Sequence, residues 1–145
     1  MQRIGADKWY QVRRLGDDVT AISEPFIQQF YRCNIWHVRG RDRDMLIDSG
    51  MGVVSLREWV PLVTERGLIA VASHTHFDHI GCHHEFECRA VHSAEADLLA
   101  NPTREKYACR SLCHRRDFRR AAAGPLLLYM LCRKKSASDA HSRGW

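Results

Sequence analysis

The apolar residues change their period several times along the first hundred positions, and each change marks an element. Val19-Thr-Ala-Ile22 alternates and is rich in β-branched residues, which predicts a strand. Trp9–Leu15 predicts a strand before it, with Gly16-Asp17-Asp18 as the turn between them. Asn34–Val38 and Asp44–Ile47 predict a second pair, joined as a hairpin through the polar loop Arg39–Arg43. In Ser55–Gly67 the period lengthens. Leu56, Trp59, Val60 and Val63 fall on one helical face, and Ser55 with Glu58 has the spacing of a capping box. Pro61 is expected to bend or shorten this helix, and Gly67 to stop it. Leu68–Ala72 is a continuous apolar run, as suits a strand covered on both faces. Cys88–Val91 predicts another strand. Ser93–Ala100 predicts a helix with Ser93 as N-cap, halted by Asn101-Pro102.

Beyond about residue 106 neither period persists, and composition explains part of the change. The chain has 145 residues, the size of one domain, and is 45% hydrophobic, an ordinary value for a folded chain. Its net charge of +5 is not evenly spread. Residues 1–100 hold 11 basic and 14 acidic residues, whereas residues 101–145 hold 11 basic and 3 acidic. The chain therefore divides into residues 1–106 and a basic tail, residues 107–145. The charge reversal, the Arg-rich runs and the lost periodicity lead to the expectation that the reading frame or exon changes near Lys106–Cys109, with a natural basic tail as the alternative. Arg110–Arg120 has sparse aromatic interleaving and no nucleic-acid module signature, so nucleic acid is not an expected partner. No apolar run reaches membrane-spanning length, and the first residues lack the apolar stretch of a secretory leader. A cytoplasmic location is expected, with the six cysteines as thiols.

The chemistry concentrates in His74-Thr-His76-Phe-Asp78-His79. Four side chains of metal-ligating type fall within six positions, directly after the apolar run that ends at Ala72. Imidazole nitrogen and carboxylate oxygen suit Zn²⁺, and equally iron or manganese. In extended backbone His74 and His76 project to the same side. A turn after them brings Asp78 and His79 round, so the cluster has the residues for one or two ions, the latter about 3.5–4 Å apart. Gly81 permits a close approach of backbone without a Cβ.

This motif resembles the H-x-H-x-D-H signature of the metallo-β-lactamase-fold hydrolases. Leu46-Ile-Asp48-Ser-Gly50 resembles the family's strand ending in Asp-Thr/Ser-Gly, and Val91-His92-Ser-Ala-Glu95 its following strand and helix. The resemblance covers residues of about 9 to 106. It looks closest to the acyl-thioester and small-lactone hydrolase branch. It implies an α+β fold, an αββα sandwich of which the N-terminal half is present. It further implies that His74 and His76 bind a first zinc ion, that Asp78 and His79 bind a second, and that Asp48 orients a ligand from behind. The implied activity is hydrolysis of a small ester, thioester or lactone by a zinc-bound hydroxide, with Asp78 holding the hydroxide and taking its proton.

The family's remaining ligands come from its second half. His141-Ser-Arg-Gly144 resembles the segment that carries the third histidine, with Ala140 where the pattern has Gly and no apolar strand leading in. The expectation is therefore a metal-dependent hydrolase, either active or truncated and inactive, or alternatively a non-enzymatic metal-binding or interaction fragment with a basic tail. Cys109-x-x-x-Cys113-His114 has no second ligand pair at finger spacing. His83 and His84 read as a partly exposed helix face beside the motif. Cys33, Cys82 and Cys88 read as small packed thiols.

Overall fold

The computed structural model describes residues 4–101 and 128–132. His141, the Cys109–His114 segment and Arg110–Arg120 lie outside the described residues, as does any frame change near Lys106–Cys109. The fold is mixed α+β. Among the described residues seven strands form one sheet in the order β1 (Gln11–Gly16), β2 (Val19–Ser23), β3 (Ile35–Val38), β4 (Asp44–Ile47), β5 (Leu68–Val71), β6 (Cys88–His92) and β7 (Leu128–Cys132). β1 to β4 run as an antiparallel meander. β4, β5 and β6 are parallel, each joined to the next by a helical crossover. β7 returns antiparallel along β6, with Val91 opposite Tyr129. It falls in the aperiodic stretch, where alternation gave no strand signal.

Three short helices complete the described fold: α1 (Leu56–Trp59), α2 (Phe77–Ile80) and α3 (Ala96–Ala100). The Ser55 hydroxyl accepts the Glu58 N–H at 3.1 Å, so Ser55 caps α1 as its spacing predicts. Pro61 then does more than bend the helix. α1 ends at Trp59, and Pro61–Val63 form a separate 3-10 turn, because proline cannot donate to the preceding carbonyl and its ring crowds it. The second predicted helix also divides. Ser93–Glu95 form a 3-10 turn, and the cap is the His92 ring, whose Nδ1 accepts the Ala94 N–H at 3.2 Å, rather than Ser93.

The helices cover one face of the sheet. Ile22 paired with Ile35, and Leu46 paired with Ala70, pack in one core with Leu56, Val60, Val63, Cys82 and Phe86. A smaller cluster of Ala72, Ile80, Val91 and Leu99 continues it beneath α2 and α3. The opposite face carries Trp36, Ile47 and Val71, half-buried, and Met45, exposed. The described residues thus supply one helical layer and one sheet layer. Among them no helix is long and apolar enough to cross a membrane.

Two close backbone approaches fix α2 against the end of β4. The Gly81 N–H donates to the Gly50 carbonyl at 2.8 Å, and the Ser49 N–H donates to the His79 carbonyl at 2.7 Å. A Cβ on Gly81 would stand 2.2 Å from the Met51 carbonyl carbon, so only glycine fits there. Behind this loop lies Glu24, 1% exposed, whose carboxylate accepts the Trp9 indole N–H at 3.0 Å and the Met51 N–H at 2.8 Å.

Candidate metal centre

The parallel strands β4 and β5 end side by side, and their C-terminal ends gather the site. Asp48 follows β4 with φ of 61°, a left-handed conformation that aspartate tolerates better than most residues. Its carboxylate accepts three hydrogen bonds. The Ser73 N–H donates to Oδ1 at 2.8 Å, the Ser73 hydroxyl to Oδ2 at 2.8 Å, and His79 Nδ1 stands 2.8 Å from Oδ2. Burial works against the Asp48 charge, but these bonds outweigh it and hold the carboxyl below its usual range. Burial likewise opposes the charged form of His79. The Asp48 hydrogen bond, with the charges of Asp48 and Asp78, nonetheless lifts its pKa above the usual imidazole value.

The structure brings the predicted residues together. The His74 ring centroid lies 4.3 Å from that of His76 and 4.0 Å from that of His79. His76 closes the loop in extended conformation, and α2 then carries Asp78 and His79 round as the spacing predicts. Asp78 Oδ2 lies 3.7 Å from His79 Nε2. All four residues are partly open to solvent. Burial lowers the His74 pKa, and the neighbouring His79 and His76 lower it further. Its Nδ1 faces the Ser73 hydroxyl at 3.0 Å.

The donor set suits a divalent ion by its chemistry. Nδ1 of His79 and Nδ1 of His74 are both engaged from behind, which leaves Nε2 of each ring as the free donor. Outer hydrogen bonds of this kind fix the tautomer and orientation of ligating imidazoles. The residue types therefore fit. The arrangement is not a closed cage: the rings pack against one another, and no group of three or more His, Cys, Asp or Glu among the described residues is disposed to hold an ion.

Two residues near the site differ from the sequence expectation or were missed by it. His83 is 1% exposed in the 3-10 turn after α2, not on an open helix face, while His84 is exposed as expected. His83 Nδ1 lies 2.8 Å from the Ser49 hydroxyl. Burial depresses the His83 pKa to about 4; Arg89 and His84 add to this, and Asp48 and the Ala70 carbonyl oppose it. Glu95 accepts both the N–H and the hydroxyl of Thr75, the residue between the two leading histidines. The signal available in sequence was its place just after the strand beside β5. Cys33 and Cys82 are buried and their thiols are pushed up to about 12, chiefly by burial, which agrees with packed, unreactive roles.

With this geometry in view, comparison with known proteins is direct. Residues 29–94, the segment that carries Asp48 and the whole histidine motif, match the metallo-beta-lactamase superfamily, a match consistent with an N-terminal half of that family. Among its relatives is a protein named acyl-coenzyme A thioesterase MBLAC2. The Bos taurus protein is 41% identical over 109 residues, covering 67% of this chain and 39% of the relative. The Homo sapiens protein is 40% identical over the same length and coverage. The Gallus gallus protein is 41% identical over 105 residues, covering 66% of this chain and 38% of the relative. The chain thus matches about two fifths of the length of these relatives.

Proposed function

We propose that this chain is the metal-binding portion of a metal-dependent hydrolase whose substrate is a small acyl thioester, in the same chemical class as esters and lactones. One observation carries the reading: His74, His76 and His79 come together at the open ends of β4 and β5, with Asp48 fixing His79 from behind. The names of the relatives, acyl-coenzyme A thioesterases, support the thioester over the ester or lactone.

In this reading His74, His76, Asp78 and His79 hold zinc, as one ion or two. A bound zinc ion supplies Lewis acidity and brings the pKa of water toward about 7. The remaining work falls to the chain. Asp48 keeps His79 presenting Nε2, and Ser73 does the same for His74. Asp78, at the start of α2 and partly open to solvent, receives the proton of the attacking water at its carboxylate.

The test is zinc titration of the purified chain followed by a thioester assay with acyl-coenzyme A. Stoichiometric zinc and turnover, both lost in His76→Ala, are the expected results; a chain that takes up no zinc overturns the proposal. A second reading is a non-enzymatic metal-binding or interaction fragment. It calls for zinc uptake without hydrolysis of any thioester, ester or lactone.

A further inference from the structure

The loop Ser73-His-Thr-His76 is gripped by two carboxylates, and only Asp48 has been given a part in the site. Ser73 donates its N–H and its hydroxyl to Asp48. Two residues on, Thr75 donates its N–H at 2.6 Å and its hydroxyl at 2.7 Å to one oxygen of Glu95, Oε2. Both Thr75 bonds are as short as charge-assisted hydrogen bonds are expected to be. Thr75 is 5% exposed, so this contact is made away from bulk water.

The two grips fall on alternate residues. Of these residues Thr75 is the buried one, and His74 and His76 on either side of it stay partly open to solvent, with ring centroids 4.3 Å apart. Glu95 reaches Thr75 from the 3-10 turn that follows β6. It therefore ties the loop after β5 to the loop after β6, while Asp48 ties it to the end of β4. We propose that Glu95 is a positioning residue for the candidate metal centre, pinning Thr75 so that His74 and His76 present to one ion; the assignment rests on the metal reading above.

Glu95→Ala removes the acceptor. Glu95→Gln keeps an amide oxygen that can receive both Thr75 bonds without the charge. Thr75→Val removes the hydroxyl bond alone and guards against a Glu95→Ala chain that fails to fold. Each is compared with the intact chain by zinc affinity, measured against a chromophoric chelator, and by imidazole ¹⁵N resonances of the metal-free protein. Glu95→Ala is expected to weaken zinc roughly 10- to 100-fold and to move the His74 and His76 resonances. Thr75→Val should show a smaller loss in the same direction, and Glu95→Gln should recover most of the affinity. Unchanged affinity and unchanged imidazole resonances in Glu95→Ala and Thr75→Val overturn the proposal. So does a Glu95→Gln protein as impaired as Glu95→Ala. If the intact chain binds no zinc, the metal reading fails, and the metal-free resonances still decide whether Glu95 orients the pair.

Discussion

β4 carries an aspartate near each end, and each aspartate meets a histidine. At the start of the strand Asp44 Oδ2 lies 3.1 Å from His37 Nε2, and both side chains are 1% exposed. At the far end, about 13 Å away by strand geometry, Asp48 Oδ2 lies 2.8 Å from His79 Nδ1. The pairs are chemically alike, and their surroundings separate them. The other oxygen of Asp44 is taken by the Gly40 N–H at 3.2 Å and by Arg66 Nη1 at 3.1 Å. Arg66 also donates to the Gly40 and Arg41 carbonyls, which shuts the hairpin end. Asp48 instead holds a histidine whose side chain is 23% exposed and whose ring lies against His74. A buried imidazole–carboxylate pair with every partner satisfied is structural. The same pair becomes a candidate site when the second ring nitrogen is left facing other ligands.

The sharpest way to break this contrast is at the closed end. Asp44→Ala strands a buried imidazole and removes an acceptor from Arg66 and from Gly40. It is expected to cost about 3–4 kcal/mol of stability, read as a lower urea midpoint. A loss below about 1 kcal/mol would show that the closed pair does not hold the hairpin.

His83 sharpens the comparison as a buried histidine with no carboxylate bonded to its ring among the described residues. Its folded pKa of about 4 lies below the ordinary value near 6.5. The unfolded chain therefore takes up the proton first as pH falls. The stability that neutral His83 contributes is present above about pH 6.5 and is lost between there and about pH 4, amounting to about 3 kcal/mol. Unfolding midpoints across that range should fall less steeply in His83→Asn than in the intact chain.

At the open end the expected effect moves from stability to binding. Asp48→Asn should weaken zinc roughly 10- to 100-fold, because the amide orients the His79 ring less well. The chelator competition that tests Glu95 reads this directly, and an unchanged affinity would separate His79 orientation from metal uptake. The smallest effect is expected at Arg41–Asp42, whose side chains are 92% and 77% exposed. Asp42→Ala should change stability by less than about 0.5 kcal/mol.

Much of this was legible in the sequence where the cause is local. The β4 strand, the Ser55 cap, the break at Pro61 and the H-x-H-x-D-H cluster all follow from spacings of a few residues. Gly81 was legible as a close approach, though not what it approaches. The closed pair was within reach, since a hairpin on residues 34–47 sets His37 near Asp44. The Thr75–Glu95 contact was not. It joins the loop after β5 to the turn after β6 and depends on β5 and β6 being parallel neighbours, a register that neither segment specifies. The β7 strand escaped for the opposite reason: pairing along β6, not any alternation of its own, defines it. His83 was misplaced because a pattern of polar neighbours hides a single inward side chain in a 3-10 turn.

The most direct test of the contrast is an imidazole ¹H–¹⁵N spectrum of the intact chain during zinc titration, since it watches both ends of β4 at once. The expected result is saturable shifts of the His74, His76 and His79 ring nitrogens, while those of His37 and His83 stay fixed. Shifts confined to other histidines, or none at stoichiometric zinc, would contradict the account.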